Sequence, residues 1–136
     1  ALDPKEATAV LWRGNAKSEL KDYQGAIADY TAAMALDPKE ATAVLWRGNA
    51  KRELKDYEGA IADYTAAITL DPTDQANYIS RASVVTKLCE SGRSTPKLKQ
   101  QALDDVKKAS ELKDAAPIFR KLINKLPIAI NLFCKP

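Results

Sequence analysis

Apolar and small residues return at intervals of three and four along most of the chain, the spacing that places side chains on one side of an α-helix. The first run extends from Ala7 to Leu20, and a second begins at Tyr23 after the polar pair Lys21-Asp22. Neither run contains a proline, which would interrupt a helix. The pattern therefore predicts two amphipathic helices that are joined by a tight turn and pack antiparallel.

The whole pattern then repeats with a period of 34 residues, because Ala1–Met34 and Ala35–Ile68 differ at only three positions. The differing pairs are Ser18 and Arg52, Gln24 and Glu58, and Met34 and Ile68. A fixed period in this range is typical of stacked repeats, in which each unit buries its apolar face against its neighbours. Such near-identity indicates either a recent duplication or an engineered chain assembled from one copied unit.

An Asp-Pro pair precedes each unit, at Asp3-Pro4, Asp37-Pro38 and Asp71-Pro72. An aspartate accepts hydrogen bonds from the free N–H groups at a helix start. Proline suits the first helical position, because the N–H that it lacks would be unpaired there. We therefore expect a helix to begin at each of these prolines.

Two glycines, Gly14 and Gly48, lie inside predicted helices, where glycine is less favourable than alanine by about 1 kcal/mol. Close approach of the neighbouring helix is the expected compensation. Large residues such as Tyr30 and Tyr64 are then expected to fill the space between successive units.

A third unit keeps the frame but is longer and less regular. Residues 102–112 align with 26–36, and eight additional residues separate them from the preceding helix. The insertion near 89–101 contains Ser91–Pro96, which predicts a helix end, a polar loop and a new helix start at Thr95-Pro96. The loop is either a contact or phosphorylation site or an ordinary tolerated insertion.

The last segment, residues 114–136, is strongly apolar. Pro117 lies early in a predicted helix that extends to Leu126, and Pro127 is expected to end or bend it. We expect this helix to cover the third pair, because the terminal face of a stacked repeat needs a cap. The tail Ile128–Cys134 also requires burial, on the chain's own C-terminal surface, on a second copy, or in the groove of a neighbouring molecule.

The residues that recur in each unit resemble the tetratricopeptide repeat family. They are Gly14, Ala26, Tyr30, Ala33 and Pro38 in the first unit and Gly48, Ala60, Tyr64, Ala67 and Pro72 in the second. The resemblance implies an all-α fold, a right-handed superhelical α-solenoid of about three antiparallel helix pairs with a C-terminal capping helix. The predicted units are 4–37, 38–71 and 72–113, followed by the capping helix and apolar tail at 114–136.

The first helix of each unit departs from the family pattern. Val10, Arg13 and Lys17 occupy the family's Trp, Leu and Tyr positions, and Trp12 and Trp46 come two residues late. By the resemblance, this offset places both tryptophans on the inner, concave side of the first helices; the alternative is that they belong to the core. The predicted partner-binding residues are Thr8, Leu11, Trp12, Asn15, Thr42, Leu45, Trp46, Asn49 and Arg52.

Exposed aromatic residues in a concave surface are typical binding hot spots. The predicted function is therefore a non-catalytic protein–protein interaction scaffold that binds a peptide or partner helix in its groove. Some family members grip the C-terminal carboxylate of chaperone tails, but only Asn15 matches their clamp residues, so that mode is not expected here. The alternative function is a self-associating structural array, a dimer or a head-to-tail assembly, formed by an engineered chain or by a fragment of a longer protein.

Composition adds little further chemistry. The chain has no histidine, the commonest general base and metal ligand. The adjacent carboxylates of Asp104 and Asp105 point about 100° apart on a helix and make a poor pair for a metal or for acid–base work. We expect no enzymatic activity, no cofactor and no bound metal.

Charge is distributed unevenly, since residues 1–74 have a net charge of −4 and residues 75–136 a net charge of +7. Such asymmetry suits an acidic partner or contact between copies, and solvated helix faces are the plain alternative. Aromatic residues are not interleaved with the basic ones, so nucleic acid is not expected as a partner. Homo-oligomer formation through the C-terminal apolar tail remains open.

Cys89 and Cys134 are far apart in the sequence and have no cysteine or histidine nearby, which predicts two free thiols. Free thiols indicate a cytoplasmic or another reducing compartment. No apolar run approaches the roughly 18 residues needed to span a bilayer, so membrane insertion is not expected. The opening residues 1–4 repeat residues 35–38, which predicts that the chain is part of a longer array.

Overall fold

The computed structural model describes residues 3–112 and 117–134, and the secondary structure within these ranges is entirely helical. The chain divides into two compact units, Ala1–Asp71 and Pro72–Pro136. The first unit contains α1 (Pro4–Glu19), α2 (Tyr23–Leu36), α3 (Ala41–Glu53) and α4 (Tyr57–Leu70). The second unit contains α5 (Gln75–Glu90), α6 (Pro96–Glu111) and α7 (Pro117–Phe133).

The first unit consists of two helix pairs, in which α1 packs on α2, α3 packs on α4, and α2 joins the pairs by packing on α3. Small residues dominate the buried interior, as the predicted close packing requires. The buried residues of the cluster between the pairs are Leu11, Ala26, Tyr30, Ala33, Ala43 and Ala50.

The two tight turns of the first unit are built alike. Lys21 and Lys55 adopt positive φ angles of 63° and 62°, which reverse the chain after each first helix. Asp22 then caps α2 by accepting a hydrogen bond from the N–H of Gly25, and Asp56 caps α4 in the same way from Gly59, both at 3.0 Å. The predicted turn at Lys21-Asp22 is confirmed.

The helix pairs approach as closely as the internal glycines predict. A Cβ atom added at Gly14 would lie 2.8 Å from Cε1 of Tyr30, and one added at Gly48 would lie 2.8 Å from Cε1 of Tyr64. Both tyrosines are completely buried. Each glycine therefore provides the space that the ring of the paired helix occupies.

The prediction that every Asp-Pro pair starts a helix is correct only for α1, which begins at Pro4 with Asp3 as its cap. α3 begins at Ala41 and α5 at Gln75, so the predicted starts at Pro38 and Pro72 are wrong. Glu40 and Asp74 cap these helices, by accepting hydrogen bonds from backbone N–H groups two residues later.

The reason for this shift is that Asp37 ends the preceding helix. Its N–H donates to the carbonyl of Ala33 at 2.8 Å, and its Oδ1 accepts from the N–H of Lys39 at 3.1 Å. The chain must turn before it can start α3, and the Asp-Pro pair forms that turn. At α1 the Asp-Pro pair forms the helix start itself, with Pro4 as the first helical residue and Asp3 as the cap.

In the second unit, α5 packs on α6 and α7 packs on both. α5 ends at Glu90, Gly92 turns the chain with a φ of 75°, and Thr95 caps α6 by accepting a hydrogen bond from the N–H of Leu98. The predicted helix end, loop and new start are confirmed. α6, with 16 residues, is longer than α2 and α4, which have 14 each, and α5, also with 16 residues, equals α1 and exceeds α3.

Pro127 was expected to end or bend this helix; α7 continues through it to Phe133, so the predicted helix end at this proline is wrong. On one side of the helix Leu126, Ile130 and Cys134 are buried. A proline removes one internal hydrogen bond of the helix but leaves the packing of its side chains intact. The buried side chains therefore hold α7 against its unit on both sides of Pro127. The apolar tail is therefore buried along one side of α7.

Cys89 and Cys134 form a disulfide, with their Cα atoms 4.8 Å apart, so the prediction of two free thiols is wrong. The sequence separation of 45 residues concealed the pairing, because the fold brings the end of α5 to the end of α7. The expected reducing compartment loses its basis. Among the described residues, no helix is both long and apolar enough to cross a bilayer.

Candidate functional site

The two tryptophans lie on equivalent positions of α1 and α3 and contact each other. Their ring centroids are 5.6 Å apart and the planes are inclined by 65°, an edge-to-face arrangement. Such a pair contributes about 0.5–1.5 kcal/mol beyond its buried area. Trp12 nevertheless remains 58% exposed, which is unusual for the largest apolar side chain.

Trp46 is half-buried and connects this surface to the interior. Its ring lies 6.1 Å from that of the buried Tyr30 and packs against the cluster between the helix pairs. Trp46 is thus partly buried against the core, and Trp12 packs on it from outside.

Two asparagines accompany the tryptophans, since residues three and four apart share one side of a helix. Thr8, Trp12 and Asn15 follow this spacing on α1, and Thr42, Trp46 and Asn49 follow it on α3. We call these six residues the tryptophan face. Thr8 and Trp12 are exposed and the other four are half-buried.

Asn49 is held in place from the interior. The hydroxyl of Tyr64 donates a hydrogen bond of 2.7 Å to Oδ1 of Asn49. Burial raises the pKa of Tyr64 to about 12, so the phenol keeps its proton and remains a donor at neutral pH. With Oδ1 occupied by this bond, the NH₂ group of Asn49 is the part of the amide suited to a partner's carbonyl.

The remaining predicted site residues are placed differently. Leu11 is 8% exposed and belongs to the core, so it offers no surface to a partner. Leu45 and Arg52 are half-buried. The Arg52 guanidinium lies 3.7 Å from the carboxylate of the neighbouring Glu53.

Sequence reasoning missed a charged network that joins α1 to α2. Arg13 forms a bidentate ion pair with Asp29, in which Nε donates to Oδ2 at 2.9 Å and Nη2 donates to Oδ1 at 2.8 Å. Lys17 adds a third contact to Asp29, at 3.0 Å. Arg13 and Lys17, at the positions where the family resemblance has Leu and Tyr, therefore join α1 to α2 through a charged contact.

The same contact recurs in each helix pair. Arg47 and Lys51 contact Asp63 in the second pair, and Arg81 contacts Asp105 in the third. The signal was present in the sequence, as an arginine before each internal glycine or alanine and an aspartate 16 residues later, or 24 where the insertion intervenes.

Burial changes the electrostatics of this contact from pair to pair. The hydrogen bond from Arg13 holds the pKa of Asp29 below its usual value, against the opposing effect of burial. At Asp105 burial has the larger effect and raises the pKa, although Arg81 opposes it. The arginine side chain is 63% exposed in the first pair and 11% in the third.

These carboxylates fasten helices together, and each is already occupied by an arginine. Within residues 3–112 and 117–134, histidine, cysteine and carboxylate side chains do not gather in groups of three that could hold a metal ion. The arrangement of the tryptophan face, in contrast, leaves a large aromatic surface and amide donors open to a partner.

Comparison with known proteins gives the family and the fold. Residues 11–75 match the family model described as tetratricopeptide repeat. No curated protein sequence matches the chain significantly. The predicted all-α, helical-repeat fold class is confirmed by the helices described above and by the matching solved structures.

Three solved structures illustrate the similarity. The second TPR domain of human RPAP3, in complex with the HSP70 peptide SGPTIEEVD, is 25% identical, with a TM-score of 0.75 over 91% of this chain and 98% of that one. The TPR2B domain of yeast Sti1 in a pHsp70 complex is 22% identical, with a TM-score of 0.80 over 94% and 98%. Yersinia enterocolitica SycD with a peptide of the translocator YopD is 19% identical, with a TM-score of 0.78 over 94% of each chain.

Proposed function

Because the chain belongs to the tetratricopeptide repeat proteins, we propose that it is a non-catalytic interaction module that binds a peptide or partner helix on the tryptophan face. The observation that carries the proposal is the 58% exposure of Trp12 on top of Trp46. That the three solved relatives described above are complexes with other proteins or peptides supports the same class of function.

The tryptophan pair suits binding because it is already ordered. Trp46 is held by Tyr30, and Trp12 is held by Trp46. A partner therefore gains contact with a large aromatic surface without having to immobilise it, which reduces the entropy loss of association. Aromatic side chains arranged in this way are typical hot spots, where truncation costs about 2 kcal/mol or more.

The polar residues beside the pair favour an extended or helical backbone as ligand. Because Oδ1 of Asn49 accepts the hydrogen bond from Tyr64, its NH₂ group is the part of the amide that can donate to a partner. Asn15 occupies the equivalent position on α1 and is half-buried. Two amides one repeat apart can hydrogen-bond main-chain carbonyls of a partner while its apolar side chains pack on the indoles.

The ligand we propose is apolar rather than a carboxylate terminus. Of the positions that form the carboxylate clamp in chaperone-binding relatives, only Asn15 is matched, and Trp46 stands at one of the others. An aromatic or aliphatic side chain is the natural contact for the Trp12 and Trp46 rings.

Selection of peptides on the immobilised full chain, followed by titration calorimetry, tests this proposal. Trp12→Ala should lower the affinity for the selected peptides by roughly 30-fold, the equivalent of about 2 kcal/mol. Leu20→Ala is the matched control, because Leu20 is an 81% exposed apolar residue outside the tryptophan face. Unchanged affinity in Trp12→Ala and in the Trp12→Ala/Trp46→Ala double variant would refute the proposed site.

A further inference from the structure

α7 has a second side that its own unit does not cover. Leu126, Ile130 and Cys134 face the rest of the unit and are buried. Lys121, Lys125, Ile128 and Leu132 follow one another at intervals of four, three and four residues, which places them along the opposite side of the helix. We call these four residues the outward stripe.

The stripe ends in an exposed apolar patch. Ile128 is 71% exposed and Leu132, one turn further on, is 56% exposed. Phe133, the next residue after Leu132, is 44% exposed, and Leu122, beside Lys121 near the other end of the stripe, is 38% exposed. Scattered apolar residues on a surface are ordinary, but several that are contiguous on one helix mark an interaction site.

The other half of the stripe is basic. Lys121 and Lys125 are exposed, as is the neighbouring Arg120, and α7 contains no acidic residue. Within residues 3–112 and 117–134, none of these three side chains forms an ion pair. The positive charge is therefore available to an incoming acidic group.

We propose that the outward stripe binds an acidic amphipathic helix of a partner protein. The partner's apolar residues pack on Ile128 and Leu132, and its carboxylates contact Lys121 and Lys125. Seven residues of helix separate Lys121 from Ile128, or about 10 Å at 1.5 Å per residue. The partner helix therefore carries its carboxylates about two turns from its apolar pair.

A membrane surface is the less suitable occupant. A helix that lies in a bilayer interface buries a broad apolar face below a basic one. The broad apolar face of α7 is already packed against α5 and α6, and the stripe that remains is narrow. A partner helix of similar width, with acidic groups about two turns from its apolar residues along the same side, fits the stripe better.

The test uses the full disulfide-bonded chain and a fluorescein-labelled helical peptide with leucines at intervals of three and four and glutamates two turns away. The control peptide has lysine in place of every glutamate. In anisotropy titrations the glutamate peptide should bind at least tenfold more tightly, and added salt should weaken it. Ile128→Gln/Leu132→Gln should lower that affinity at least tenfold, with unchanged helical circular dichroism.

Further variants separate this surface from others. Lys121→Glu/Lys125→Glu should reverse the preference between the two peptides. Leu20→Gln, an exposed apolar site in the first unit, should leave glutamate-peptide binding unchanged. The decisive variants all lie on α7, so this inference stands or falls independently of the tryptophan face.

Several results would overturn the inference. Equal binding of the two peptides, or full binding by Ile128→Gln/Leu132→Gln, would show that the stripe does not recognise an acidic helix. Binding to phosphatidylserine vesicles without binding to the glutamate peptide would assign the stripe to membranes. A dimer in sedimentation velocity that this double variant dissociates, again without peptide binding, would assign it to a second copy of the chain.

Discussion

At the scale of single residues, Gly14 and Gly48 each pack closely against the tyrosine ring of the partner helix. A methyl group at Gly14 would lie 2.8 Å from the Tyr30 ring, too close for either to stay in place. Gly14→Ala gains about 1 kcal/mol in helix propensity. Overpacking costs more, typically 1–3 kcal/mol, so we expect a net loss of stability in urea unfolding.

The double-mutant cycle with Tyr30→Leu provides the control. When the ring is gone, the methyl group has room, and Gly14→Ala should be neutral or stabilising in that background. An equal loss of stability in both backgrounds would mean that the glycine is required for another reason.

The charged contacts at Asp29 and Asp105 make folding stability depend on pH, with opposite signs at the two residues. Because the pKa of Asp29 is lowered by Arg13, the unfolded chain binds the proton first on acidification. The contribution of Asp29 to stability is complete above its unfolded-state pKa of about 3.9 and is lost as the pH falls through its folded-state pKa. The stability advantage of the wild type over Asp29→Asn should therefore shrink on acidification.

For Asp105 burial raises the pKa, so the folded chain binds the proton first. Between that raised pKa and about 3.9, acidification favours the folded state, so the free energy of unfolding of the wild type should rise relative to that of Asp105→Asn. Urea unfolding of the three proteins at a series of pH values measures both effects. Parallel behaviour of the two variants would contradict the assigned causes.

Residue-level prediction succeeded where packing depends on size and failed where it depends on pairing. The roles of Gly14 and Tyr30 followed from their sizes and positions. The contact of Arg13 with Asp29 did not, because an arginine in an apolar position has many acidic residues within reach in the sequence. Only the fold selects one of them.

At the scale of helices, the disulfide between Cys89 and Cys134 joins the ends of α5 and α7 and closes a loop with a sequence separation of 45. Closing such a loop in the unfolded chain contributes about 4 kcal/mol in the entropy model. A phosphine reductant should therefore lower the unfolding free energy by up to about that amount, and hydrogen exchange should increase in α7.

The Cys89→Ala/Cys134→Ala variant is the control for that measurement, since its stability should not respond to reductant. Identical unfolding of the wild type with and without reductant would show that packing alone holds α7 in place. The buried side chains of Leu126 and Ile130 would then account for its position.

Helix boundaries show why local signals were insufficient. The Asp-Pro pair has the same letters before α1 and before α3, but Asp37 also has to end α2. Between α2 and α3 the Asp37-Pro38 pair therefore forms the turn, and Glu40 is the N-cap of α3. Similarly, Pro127 was expected to end or bend the last helix, and the packing of α7 on its unit carries the helix past it.

At the scale of the whole molecule, three signals together predicted the fold. The three-and-four spacing of apolar residues predicted helix pairs, the period of 34 residues predicted that the pairs stack, and the family resemblance implied an all-α solenoid. The disulfide and the two-sided character of α7 lie outside the near-identical repeats, where no second copy of the pattern helps to interpret the sequence.

The two units offer surfaces of different chemistry. The tryptophan face belongs to the first unit and is aromatic, with amide donors. The outward stripe belongs to the second unit and combines lysines with aliphatic residues. A protein with both would bring together two partners of different kinds, and neither surface depends on the residues of the other.

The tryptophan pair also has an optical consequence. Two indoles with centroids 5.6 Å apart and planes inclined by 65° are close enough for their electronic transitions to couple, and the coupling depends on both quantities. Because one ring belongs to α1 and the other to α3, the resulting exciton signal in circular dichroism measures the spacing of the first two helix pairs. The chain thus contains an intrinsic ruler for its own repeat stacking, without any added label.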